Sequence, residues 1–95
     1  PIDKFTYPGP NPVSRETAVV MLADGVEAAA RSLPVKTEES LQKMINQIVD
    51  AKIENHELDD APFTFRDIRD VKRIFLDKLK NIYHLRIQYP EEKKN

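Results

Sequence analysis

Asp24, Glu27 and Arg31 are the residues of this chain best placed to do chemistry. With Thr17 and Val20 they recur at spacings of 3, 4, 3 and 4, which at roughly 100° per residue lines them along one stripe of a helix. Almost everything else between Ala18 and Leu33 is Ala, Val, Met, Leu or Gly. An acid in such company needs either solvent or a cation. Asp24 and Glu27 are like charges at i and i+3, which repel by a few tenths of a kcal/mol. No base lies within four residues of Asp24. Arg31 follows about 10 Å further along the axis and reaches Glu27 more readily. If the stripe faces water, as charged stripes usually do, it asks for nothing more. If it is buried, an unpaired carboxylate costs several kcal/mol and requires a metal or an outside base. One acid alone falls short of a metal site, which takes three or more ligands.

The stripe belongs to the first of three helices. Pro8, Gly9, Pro10 and Pro12 forbid regular structure before it, so residues 1–13 read as an extended proline-rich segment. Ser14 offers an N-cap oxygen, Glu16 suits the positive helix end, and Pro34 terminates a helix over 15–32. Its apolar surface covers more than half the circumference, which predicts burial on several sides, beyond what two partner helices cover. Gly25, in mid-helix, costs about 1 kcal/mol relative to alanine. Either another backbone approaches closely there or the glycine is merely tolerated.

Thr37 caps a second helix over 38–54, with Leu41, Met44, Ile45, Ile48, Val49 and Ile53 as its core stripe. The polar link from Glu54 to Pro62 holds His56 and four acids. It lacks the glycine and alternating oxygen ligands of a calcium loop and the second histidine of a zinc helix, so it reads as a solvated turn. Thr64 with Asp67 resembles a capping box opening a third helix over 65–88. There Ile68, Val71, Phe75, Leu79 and Ile82 form the core stripe. Arg66, Asp70, Arg73, Asp77, Lys80 and His84 alternate in sign on a solvent face. Pro90 stops the helix, and residues 89–95 read as a fraying tail. Strand periodicity and internal repeats are both absent, so the fold class is all-α.

Ninety-five residues make one small domain. Fifteen Lys and Arg against sixteen Asp and Glu leave a net charge of −1 without a basic block, which disfavours binding to a DNA or RNA polymer. The absence of cysteine excludes disulfides and thiolate zinc sites. No apolar run approaches the roughly 18 residues of a membrane span, so no membrane contact by this segment is expected. A start at Pro1, directly on an irregular stretch, suggests a piece of a longer protein.

Several blocks together resemble a known family. Phe5-Thr6-Tyr7-Pro8-Gly9-Pro10-Asn11-Pro12, Ser14-Arg15-Glu16, Met21-Leu22-Ala23-Asp24, Val26-Glu27-Ala28-Ala29 and Arg31-Ser32-Leu33 look like the C-terminal portion of bacterial seven-transmembrane HD-domain phosphohydrolases. So do Pro62-Phe63-Thr64-Phe65-Arg66-Asp67-Ile68 and Ile82-Tyr83-His84-Leu85-Arg86-Ile87-Gln88-Tyr89-Pro90. The resemblance spans nearly the whole chain, and its first block is specific.

The resemblance implies an incomplete piece of an HD-type helical domain. The parent would be an inner-membrane protein whose cytoplasmic HD domain hydrolyses cyclic di-AMP to the linear dinucleotide. A divalent metal pair, Mn or Fe, would polarise the phosphate and generate hydroxide. By this likeness Asp24 takes the place of the family's final metal-ligating Asp. Glu27 and Arg31 would support that ligand or face phosphate, or else pair with one another. The departure is that no His-Asp dipeptide occurs, and His56 and His84 are the only histidines. The other ligands are then expected upstream of Pro1, on HD helices that would be partners of this segment. The isolated chain is expected to hold no metal and to be inactive. Gly25 also stands where the family more often has Ser or Ala. The rival expectation is a self-sufficient helical interaction module without catalysis. It would form a homo-oligomer through Ala18, Val19, Leu22, Val26 and Ala29 of the first helix.

Overall fold

The computed structural model describes residues 11–85, and within them lie three helices, α1 (Arg15–Ser32), α2 (Glu38–Glu54) and α3 (Phe65–Ile82). The expectations for residues 1–10 and 86–95, including the fraying tail, lie outside the described residues. Each helix begins on the cap its sequence provides. Ser14 is extended, and its side chain accepts from the Thr17 N–H at 3.1 Å. Thr37 accepts from the Ser40 N–H at 3.0 Å while Ser40 Oγ accepts from the Thr37 N–H at 2.9 Å, a reciprocal box. Thr64 and Asp67 form the same box, with both bonds at 3.0 Å. Asp67 Oδ2 also accepts from Arg15 Nη1 at 3.2 Å, which ties the start of α3 to the start of α1. Donation by the Thr64 backbone N–H, and then the Arg15 guanidinium, hold the Asp67 carboxyl below the ordinary aspartate range.

α2 and α3 also end alike. Among the described residues, His56 and His84 are the non-glycine residues with positive φ, at 64° and 59°. Around His56, the Glu57 N–H reaches Lys52 O at 2.9 Å and the His56 N–H reaches Ile53 O at 3.0 Å. Around His84, the Leu85 N–H reaches Lys80 O at 2.8 Å and the His84 N–H reaches Asn81 O at 3.2 Å. These paired bonds are Schellman stops, with histidine in the left-handed position usually given to glycine. α3 therefore ends at Ile82 and does not run on to residue 88. Leu85 packs against the core just beyond the stop, the apolar contact that commonly accompanies such a stop.

One core fills the space between the helices: Ala18, Leu22, Val26 and Ala30 of α1, Leu41, Ile45 and Val49 of α2, and Phe75, Leu76 and Leu79 of α3. Lys80 pairs with Glu38 at 3.1 Å and Lys72 with Asp50 at 2.9 Å, so α2 and α3 run antiparallel. Four expectations need correction. Among the described residues α1 is buried on one side rather than on several: Ala18, Met21, Leu22, Val26 and Ala30 are buried while Val20 is 55% exposed. Ile53 and Ile82, assigned to core stripes, stand at the helix ends and are 40% and 51% exposed. Lys80, assigned to the solvent face, is only 5% exposed: its methylene stem crosses apolar surface and its amine emerges at Glu38. The link after α2 is not wholly solvated, since Leu58 and Ala61 are buried in the core. Among the described residues no helix is long and apolar enough to cross a membrane.

A Cβ on Gly25 would meet only Ile48 Cγ2, at an ordinary 3.8 Å, so the glycine answers to no close backbone approach. Gly25→Ala should therefore stabilise the chain by up to about 1 kcal/mol in urea unfolding. His84→Gly, which removes the Cβ from a left-handed position, should stabilise by roughly 0.5–1 kcal/mol. Asp67→Asn should destabilise at neutral pH, where the depressed carboxyl is fully charged in wild type. The difference should vanish as pH falls through the folded-state value, because a lowered pKa contributes stability only above it. Unfolding curves of both proteins across the acid range measure this.

Candidate functional site

Core packing sets the rotation of α1 about its own axis. Ala18, Leu22, Val26 and Ala30 repeat every fourth residue and are at most 2% exposed. At roughly 100° per residue, the stripe through Val20, Asp24, Glu27 and Arg31 lies on the opposite side. Asp24, Glu27 and Arg31 are all exposed. Of the two environments open to Asp24, the structure thus shows the solvated one. Every core position of α1 pulls inward and leaves the acid pointing out, on a helix held rigidly by its buried side.

The donors that would complete a metal site are not gathered around it. Among the described residues, no group of three or more His, Cys, Asp or Glu side chains could hold a metal ion. His56 and His84 are exposed and stand at the stops of α2 and α3. The His56 Nδ1 lies 3.0 Å from Asp59 Oδ2, a contact within its own turn. Both histidines take the left-handed backbone conformation that closes their helices. A carboxylate oxygen suits a hard divalent cation, but one such donor is a corner of a cage and not the cage.

A feature the sequence reading missed borders this stripe. A groove of about 300 Å³ runs between α1 and α3, floored by Val19, Ala23, Val26, Phe75 and Leu79 and rimmed by Glu27, Ile74, Lys78 and Ile82. Its signal was present in Ile74, Lys78 and Ile82, spaced by four along the edge of the α3 core stripe. A second depression, about 480 Å³, surrounds the Arg15–Asp67 pair beside Phe63, and those charged groups are already engaged in the cap.

The set proposed for oligomer contacts is also displaced. Ala18, Leu22 and Val26 are core residues of the chain itself, and Val19 and Ala29 are partly buried against them. The five residues cannot form a shared face while this fold stands.

No family model matches the chain. The cyclic-di-AMP phosphodiesterase PgpH of Bacillus subtilis is 36% identical over 92 residues, which is 97% of this chain and 13% of that protein. The PgpH of Listeria monocytogenes is 32% identical over 89 residues, 94% of this chain and 12% of that protein. The crystal structure of the L. monocytogenes PgpH HD domain in complex with cyclic di-AMP superposes with a TM-score of 0.79 at 31% identity. That match covers 87% of this chain and 39% of the crystallised one. The chain thus spans about an eighth of the full-length relatives and two-fifths of the HD-domain structure. It is homologous to the HD domain of the PgpH cyclic-di-AMP phosphodiesterases and shares its helical architecture.

Proposed function

We propose that this chain is the C-terminal helical part of a metal-dependent HD phosphodiesterase domain that hydrolyses cyclic di-AMP, with Asp24 as one metal ligand. The observation that carries the reading is homology along almost the whole chain combined with an exposed Asp24 that no fold contact requires. Homology to HD phosphodiesterases suggests a divalent metal cofactor. When bound, a metal pair would polarise the scissile phosphate and supply hydroxide at neutral pH. The part played by this chain is narrower. α1, locked by its buried spine, presents the Asp24 carboxylate at a fixed place, and Glu27 and Arg31 flank it along the same stripe. Arg31 offers a guanidinium suited to a phosphate oxygen. Glu27 is suited to accept a hydrogen bond from a neighbouring ligand and so orient it. The histidine ligands belong to the rest of the HD domain, so the 95-residue chain alone binds no metal tightly and turns over no dinucleotide. In this reading the intact protein is a bacterial inner-membrane protein with the domain on its cytoplasmic side. The interaction-module reading has less support, because the face it needed is core.

Asp24→Ala separates a ligand from a structural acid. In the complete domain it should abolish hydrolysis of cyclic di-AMP and reduce the bound metal measured by elemental analysis. Glu27→Gln and Arg31→Ala should each lower activity by roughly 10–100-fold. In the 95-residue chain Asp24→Ala should move unfolding stability by no more than about 0.5 kcal/mol, as for an exposed side chain. Full activity in the Asp24→Ala domain would remove the ligand assignment. Cyclic-dinucleotide turnover by the isolated chain would contradict its being one part of a site.

A further inference from the structure

We propose that Arg15 is a positioning residue for Asp24, acting through the bond it makes to the carboxylate of Asp67. This role rests on the reading above, in which Asp24 is a ligand of an HD phosphodiesterase site. The buried row of α1 explains how the helix is turned, but less well where it stands along its own axis. A row spaced by four resists sliding only through the interlocking of its side chains. Two of its four members, Ala18 and Ala30, are alanines, whose methyl groups interlock shallowly. α2 and α3 are cross-linked by two ion pairs, Lys72 with Asp50 and Lys80 with Glu38. Among the described residues, α1 has a single ion pair to another helix, Arg15 Nη1 to Asp67 Oδ2 at 3.2 Å.

Solvent-exposed pairs contribute little in general, chiefly because two long side chains must be ordered at once. Here one partner is fixed in advance. Asp67 Oδ2 accepts from the Thr64 N–H at 3.0 Å and from Arg15 at 3.2 Å, so the capping box has already ordered the carboxylate. Arg15 meets an anchor, and only its own rotamer freedom is lost. The competing carboxylate of Asp70, in the same depression, is engaged by Arg73 at 3.3 Å. Other polar ties near α1 lie outside the helix itself. Asn11 Nδ2 donates to His56 O at 3.4 Å before it, and Lys36 lies over the Tyr83 ring after it. Asp24 is nine residues beyond Arg15, about 13 Å along the axis, so Arg15 touches nothing at the site. What it sets is the axial position of the helix that carries the acid. A displacement of about 1 Å in a reacting geometry costs up to ~100-fold in rate.

Distances and chemistry test this separately. Spin labels at Val20→Cys of α1 and Asp77→Cys of α3, both exposed positions, report the axial position of α1 in the 95-residue chain. That chain has no cysteine of its own, so the labels go nowhere else. Arg15→Met should shift or broaden the label separation. Arg15→Lys, which keeps a cation near the carboxylate, should largely restore it. In the complete domain, assayed well below its melting temperature, Arg15→Met should lower kcat and metal affinity by about 10-fold each. Asp67→Asn, which still accepts from the Thr64 N–H but loses the charge, should do the same. The double variant should be no worse than the poorer single one, because either change removes the same contact. A merely structural pair would lower the melting temperature and leave the metal affinity and kcat of the folded domain alone. That outcome overturns the proposal, and so does a label separation that Arg15→Met leaves unchanged. Failure of the ligand reading looks different: Asp24→Ala would then retain metal and turnover, while the label separation alone decides whether Arg15 holds α1.

Discussion

The rotation of α1 about its own axis governs everything else in this molecule. Four small or branched residues spaced by four, Ala18, Leu22, Val26 and Ala30, are all but fully buried. Their near-complete burial gives the helix one well-defined inward face. Turning it by one residue would bring a charged group toward Leu41 and Ile45, at a cost of several kcal/mol. The orientation of Asp24 is therefore a product of the opposite side of the helix. A carboxylate positioned this way needs no hydrogen-bond partner of its own to hold its place, which leaves both oxygens free for an outside group.

The helix boundaries show a similar division of labour. Starts were legible in the sequence because Ser14, Thr37 and Thr64 are N-capping residue types, and each does cap its helix. The end of α3 was not, because the visible stop signal was Pro90 while the operative one is the pair His84 and Leu85. A left-handed histidine leaves no mark in composition or periodicity. The contact of Leu85 with the core accompanies that conformation, and it is tertiary rather than local. The same backbone geometry recurs at His56, where another histidine takes the left-handed position that closes α2.

Side chains of mixed character account for the other differences. Lys80 repeats with the charged residues of α3, so its position looks solvent-facing. Its stem nevertheless lies against the core, and its amine meets Glu38 in the first turn of α2. That contact, together with Lys36 lying 5.2 Å from the Tyr83 ring centre and donating to Leu33 O at 2.8 Å, closes one end of the bundle. Arg15 and Asp67 close the other. Periodicity assigns each residue to one side, whereas a long amphipathic chain occupies two. Positions near the helix ends fail for another reason: Ile53 and Ile82 follow the apolar period correctly, but at the last turn of their helices they are only half covered by the described residues.

The stripe itself was legible as a stripe, and the ambiguity lay in what it faced. Residue spacing specifies an angle around one helix and says nothing about the bodies at that angle. Within three helices the answer is water. The apolar surplus that the sequence reading attributed to all of α1 turns out to be concentrated on one flank, between Val26 and Glu27, and is shared with the outer edge of α3. An exposed acid is ordinary on any protein surface. Its placement near an apolar groove, on a helix whose rotation is fixed from behind, is what gives Asp24 a directional meaning.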